Sequence, residues 1–138
     1  MSESPSILLV DDDAEDRLII KDTFEELGYG TAISFAVNGE EAISFLEQCL
    51  GRRQELPALV ILDLNMPKMN GTQTLRYLKA QPSLAAIPVI IFSTSLNPIE
   101  HDECLSLGAH SYVIKPTSYM QAVDVVKHFY RLCEQISN

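Results

Sequence analysis

Five short apolar runs, each leading into a segment of helical period, constrain this chain more than any other feature. They are Ile7 to Val10, Thr31 to Val37, Leu59 to Leu62, Val89 to Phe92 and Tyr112 to Ile114. Three of them are almost purely aliphatic. Strands buried on both faces of a parallel sheet read this way, whereas strands with one wet face alternate.

The segments between the runs carry helix signals. Ala14 to Leu27 is stopped by Gly28, in the position of a left-handed cap. Glu40 to Leu50 follows an Asn38-Gly39 turn and places Ala42, Ile43 and Leu46 on one face. Thr72 to Ala80 is closed by Gln81-Pro82. A fourth helix has Asn97 as cap, Pro98 at its first position and Glu100 three residues on, and ends at Gly108. A fifth opens with Ser118 and Gln121 in capping-box spacing and repeats Ala122, Val125, Val126 and Phe129 as its core stripe. Tyr119 and Val123 fall outside that stripe and are expected on an interaction surface. The polar loop Gly51 to Pro57 carries no chemical signal. Five strand–helix pairs predict an α/β fold: a doubly wound, five-stranded parallel sheet with five helices on its two faces. Such sheets build their sites outside the carboxyl ends of the strands, so the residues just after each run matter most.

Composition narrows the class. The chain has 138 residues, the size of one domain, and a net charge of −9 from 19 acids and 10 bases. Nucleic acid and anionic membrane surfaces would repel it. Its three cysteines, Cys49, Cys104 and Cys133, are widely spaced and include no C-x-x-C pair; they read as small buried apolar side chains. No apolar stretch approaches a membrane span and no signal peptide is apparent, so a cytoplasmic protein is expected.

The strand ends hold a consistent set of residues. Asp11-Asp12-Asp13 follows the first run, with Glu15 and Asp16 close behind. Asp13, Glu15 and Asp16 suit the start of a helix, as cap and first-turn acids. Asp11 and Asp12 are not explained in that way. Crowded carboxylates repel one another unless a cation relieves them, and hard oxygen ligands suit Mg²⁺. Asp63 ends the third run, and Pro67 and Gly71 define the loop after it. Ser93-Thr94-Ser95 follows the fourth run, as an anion contact or simply a turn. Lys115-Pro116 follows the fifth and supplies the cation beside the acids.

In this order the residues resemble the receiver domains of two-component response regulators, among them the chemotaxis response regulator. The resemblance covers roughly Ile7 to Phe129 and rests on Asp11-Asp12, Asp63…Met66-Pro67…Gly71, Ser93 and Lys115-Pro116. It implies a flavodoxin-like receiver fold over residues 1–138, a single domain with no output domain. It implies a signalling protein that takes a phosphoryl group from a sensor histidine kinase or phosphotransfer protein, and that catalyses only its own phosphotransfer and dephosphorylation. Asp63 would be the phosphoacceptor. Mg²⁺ would be held by Asp12 directly, by Asp11 mostly through water, by Asp63, and by the backbone carbonyl of Asn65. Ser93 and Lys115 would bind phosphoryl oxygens, and Ser93 with Tyr112 would form the switch. The Lys115–Pro116 peptide would be cis. Thr94 stands where alanine is frequent, and Asn70 where aspartate is. The stand-alone format, the loop before the third strand and the start of the fifth helix are similar to regulators that serve bacterial phytochromes. Output would pass through protein contacts, including a homodimer through helix four, strand five and helix five.

Three other readings are weaker. A haloacid-dehalogenase-type phosphatase needs a second aspartate where Asn65 stands. A flavodoxin-like cofactor binder needs a phosphate-cradling loop where three aspartates stand. A degenerate receiver would lack one of the five chemical positions, and all five are intact.

Overall fold

A computed structural model describes residues 6–52, 54–66 and 69–137. The run Ile7–Val10 is strand β1, with every side chain buried. Its register pairs it in parallel with β2 (Ile33–Ala36) on one side and β3 (Leu59–Asp63) on the other. β4 (Val89–Ser93) and β5 (Ser111–Ile114) continue the sheet in the order β2-β1-β3-β4-β5, all parallel. This is the doubly wound, flavodoxin-like receiver arrangement.

Alternate side chains of the central strands feed two cores. Ile7, Leu9, Leu59, Ile61, Ile90 and Phe92 meet helices α1 (Ala14–Glu26) and α5 (Tyr119–Ser137). Leu8, Val10, Val60, Leu62, Val89 and Ile91 meet α2 (Gly39–Gly51), α3 (Gly71–Ala80) and α4 (Pro98–Ser106). The aliphatic runs are unbroken because both faces are dry. All three cysteines are buried and in no disulfide, and Cys133 Sγ donates to the Ser6 carbonyl at 3.5 Å. No described helix is long and apolar enough to cross a membrane.

Capping follows local chemistry closely. Asp13 accepts from the N–H groups of Glu15 and Asp16, Asn38 from Glu41, and Asn97 from Ile99 and Glu100. Asn70 and Gln73 form a reciprocal capping box at α3. At α5 the exchange is displaced by one residue. Ser118 Oγ accepts from Gln121 N–H, but the Gln121 side chain reaches back to Thr117 N–H.

Several boundaries differ from the sequence expectation. β2 starts at Ile33, because Gly30–Ala32 form a 3₁₀ turn; as an edge strand it leaves Ile33 and Phe35 half-buried, and its ends fray into turns. Gly39 is the first residue of α2 rather than part of a turn, with Asn38 as the cap. β3 and β4 each run one residue further than their aliphatic stretches and end on Asp63 and Ser93. No cis peptide occurs among the described residues, so Lys115–Pro116 is trans, contrary to the expectation. Pro67, expected to shape the loop after β3, lies outside the described residues, as do Lys68 and Arg53.

Tyr119 requires a correction of side. It is exposed, as expected, but it borders a groove of about 610 Å³ with Ile19, Asp22 and Glu26 of α1. It therefore faces α1 and not the α4–β5 edge. Val123, one helical turn on, shares its face and is only half-buried.

Candidate functional site

The parallel sheet brings the ends of β1, β3 and β5 to one edge, and their next residues meet there. Asp11 extends β1 by one rung: its N–H donates to the Ala36 carbonyl at 3.0 Å. Its side chain is fully buried, and Oδ1 accepts from Asp13 N–H at 2.9 Å. Asp63, the last residue of β3, is 4% exposed. Its Oδ1 accepts from Asn65 N–H at 3.3 Å. Lys115 follows β5, and its N–H donates to the Ser93 carbonyl at 2.6 Å, which fixes its stem beside β4.

The Lys115 ammonium joins the strands electrostatically. Nζ lies 2.8 Å from Asp11 Oδ2, 2.8 Å from Asp16 Oδ2 and 3.5 Å from Asp63 Oδ2. The stem passes the Phe92 ring, with Nζ 5.7 Å from its centroid. Burial acts against the charge on Lys115, but its close contacts with Asp11 and Asp16 and the charges of Asp11 and Asp63 outweigh that and raise its pKa. Burial, then the Asp11 charge, pushes the Asp63 carboxyl up to about 6; Lys115 and the Asn65 N–H act the other way.

One cation does not satisfy this many acids. Carboxylate oxygens of Asp11, Asp12 and Asp63 lie within 4.8 Å of one another. Asp11 Oδ2 is buried, and its short contact with Lys115 is ionic without hydrogen-bond angles, so it accepts no hydrogen bond. A buried carboxylate oxygen that accepts no hydrogen bond, in an all-oxygen cluster, fits a hard divalent cation. The cleft in front of these groups, about 490 Å³, is lined by Asp12, Asp13, Asp16, Asp63, Asn65, Thr94 and Lys115. The groove beside α1 is larger, but neither Asp63 nor Lys115 lines it. The chemistry therefore belongs to the smaller cleft.

The structure brings together Asp11, Asp12, Asp63, Asn65 and Lys115, as the sequence predicts. Ser93 is adjacent but turned away: its buried hydroxyl donates to the Ser95 carbonyl at 3.1 Å. Tyr112 donates to that same carbonyl at 3.0 Å from the other side. A single acceptor thus connects the strand-end hydroxyl to the β5 aromatic. Thr94 lines the same cleft as Asp63 and Asn65.

Two participants escaped the sequence reading. Asp16, read only as a first-turn acid, reaches Lys115. No local signal pointed to it, because Asp12 precedes the Asp13 cap and shares no helix face with Asp16. Arg17 donates through Nη1 to the Asp11 carbonyl at 2.7 Å and ties the first turn of α1 to the end of β1.

Comparison with known proteins shows the family and agrees with the fold. Residues 7–127 match the family model of the response regulator receiver domain. The Probable methanogenesis regulatory protein FilR2 of Methanothrix harundinacea is 33% identical over 127 residues, which cover 90% of this chain and 82% of that protein. The chain spans about half the length of some other curated relatives it matches. Among solved structures, the phosphorylated cyanobacterial phytochrome response regulator RcpA superposes with a TM-score of 0.84 at 28% identity, covering 96% of this chain and 95% of that one. The Mn²⁺-bound form of response regulator Rcp1 gives a TM-score of 0.76 at 28% identity, covering 91% of each chain.

Proposed function

This chain belongs to the response regulator receiver domain family, whose members act in two-component signalling by phosphorylation of an aspartate with Mg²⁺, and from that premise we propose that Asp63 is its phosphoacceptor. The observation that carries the reading is the buried Asp11–Lys115–Asp63 contact at the ends of three strands. Asp63 is a carboxylate nucleophile. In the transfer, an Asp63 oxygen bonds to the phosphorus of a phosphohistidine and the P–N bond breaks. The electron pair stays on the imidazole nitrogen, and a ring protonated on its other nitrogen leaves neutral. Lys115 faces the oxygens that gain charge.

Asp11, Asp12, Asp63 and the Asn65 carbonyl would hold a divalent cation, of which Mg²⁺ is the proposed one. Such an ion neutralises the acids and the phosphoryl oxygens. Asp63 must be ionised to attack, and its raised pKa makes that neutralisation part of the mechanism. The Ser93 hydroxyl, released from Ser95, would donate to a phosphoryl oxygen. Tyr112 would then hold the Ser95 carbonyl alone, which links the site to β5 and α4. The chain would also hydrolyse its own acyl phosphate, act in the cytoplasm as a single receiver unit, and take its phosphoryl group from a sensor kinase or phosphotransfer protein of a phytochrome-type system. The resemblance in fold to RcpA supports that last point.

Output would pass through the α4–β5–α5 face, where Ile99, Leu105 and Ile114 are exposed, and a homodimer would form there. Light scattering with Ile99→Glu tests the dimer; a wild type that stays monomeric with and without a phosphoryl mimic rules it out. For the phosphosite, intact mass after acetyl phosphate and Mg²⁺ should show one adduct, absent in Asp63→Asn and in excess chelator. Unchanged labelling of Asp63→Asn refutes the assignment.

A further inference from the structure

We propose that Asp16 is a positioning residue that competes with Asp63 for the Lys115 ammonium and so sets how tightly the pocket grips a phosphoryl group. The inference rests on the reading of Asp63 as phosphoacceptor.

The geometry is unequal. Lys115 Nζ makes a hydrogen bond to Asp16 at 2.8 Å, whereas Asp63 stands 3.5 Å away. Both partners are held from behind. The Lys115 stem is 8% exposed and anchored through its N–H to Ser93. Asp16 sits in a first turn whose cap, Asp13, accepts the Asp16 N–H at 3.1 Å. The next residue, Arg17, binds the Asp11 carbonyl. The ammonium is therefore free to pivot between fixed acceptors, but its base is not free to follow them.

The Asp16 side chain is 31% exposed, so water weakens the pair. That suits a competitor that must yield. When a dianionic group adds to Asp63, the ammonium gains stronger acceptors on that side and must stretch or break its bond to Asp16. The bland role for Asp16 is to favour the positive end of α1. Glu15 separates the two roles. It lies in the same turn with the same charge, it is exposed, and among the described residues the ion pairs of Lys115 are with Asp11, Asp16 and Asp63 and not with Glu15.

The 138-residue chain in saturating Mg²⁺ is titrated calorimetrically with beryllofluoride, and the half-life of the acetyl-phosphate adduct is followed by intact mass. Asp16→Asn should lower the beryllofluoride dissociation constant about fivefold and lengthen the half-life, because a partly exposed ion pair of about 1 kcal/mol no longer competes. Glu15→Gln should change each by less than about twofold, since screened charge alone acts weakly across the cleft. Asp16→Ser serves as a second variant should Asp16→Asn fail to fold. Equal responses from the Asp16 and Glu15 variants, or weaker binding by the Asp16 variants, overturn the proposal. A wild type that takes neither beryllofluoride nor phosphate overturns instead the reading of Asp63.

Discussion

Helix α2 buries Gly39, Ala42, Ile43, Leu46 and Cys49 against the sheet, while α4, on the same face, buries only Cys104 among the described residues. The two helices have similar caps, so the difference lies in their inner faces. Helix α4 is held at its margins: by Asn97, by an exposed ion pair of Arg76 with Glu103 at 3.2 Å, and by His101 against the Tyr112 ring. Its apolar Ile99 is 80% exposed. Stability thus concentrates on the α2 side, and freedom to move concentrates beside Ser93 and Tyr112. Elements that shift in a switch come from the weakly held part of a fold.

The contrast should be plainest in core deletions. Leu46→Ala should cost about 2–5 kcal/mol, and Ile99→Ala less than about 0.5 kcal/mol, in urea unfolding. Comparable losses from the two would break the comparison. Cys104→Ser comes next. A hydroxyl at that buried position should cost about 1–3 kcal/mol and speed amide exchange in α4 more than in α2. Uniform exchange across both helices would show that Cys104 does not anchor α4.

Neutralising the site should act on the whole domain and leave the contrast intact. Asp63 has a folded pKa above the ordinary 3.8, at about 6. Its contribution to stability is therefore complete below pH 3.8 and is lost as pH rises through about 6. The charges facing it are Asp11 and Asp12 after β1, Asp16 of α1 and Lys115 after β5. Without divalent cations, Asp63→Asn should melt a few degrees above wild type at pH 7.5, and the gap should close as pH falls below about 6. A gap that persists below pH 3.8 would assign the effect to something other than this carboxyl. The smallest effect is expected from Arg76→Ala, within about 0.5 kcal/mol, because both partners of its ion pair are exposed. A larger loss would mean that α4 is better fastened than its buried surface indicates.

Local chemistry made most of this molecule readable in advance. The unbroken runs at Leu59 and Val89 identify central strands because burial on both faces leaves no room for polar residues. The caps at Asp13 and Asn97 are decided within four residues and were readable, whereas Asn38 was read as a turn and Asn70 was not read as a cap. Asp11, Asp63 and Lys115 were legible because strand direction alone puts them at one edge. Partnerships across the fold were not legible. Asp16 meets Lys115 across 99 residues, and no local pattern encodes that distance. The shared Ser95 carbonyl depends on how one loop turns over another strand. Tyr119 was put on the wrong side of α5 because the periodicity shows which residues leave the core stripe and not which neighbour they then face.

Gly71 stands directly behind the site. A Cβ there would run into the Asp63 carbonyl and come within 2.7 Å of the Leu64 Cα. In-line attack on phosphorus tolerates little misplacement of the attacking oxygen, and an error of about 1 Å can cost a hundredfold in rate. The aim of the carboxylate at Asp63 is thus set by a missing methyl group on its far side. A residue that touches no phosphoryl donor and carries no functional group still governs how accurately the acceptor is presented.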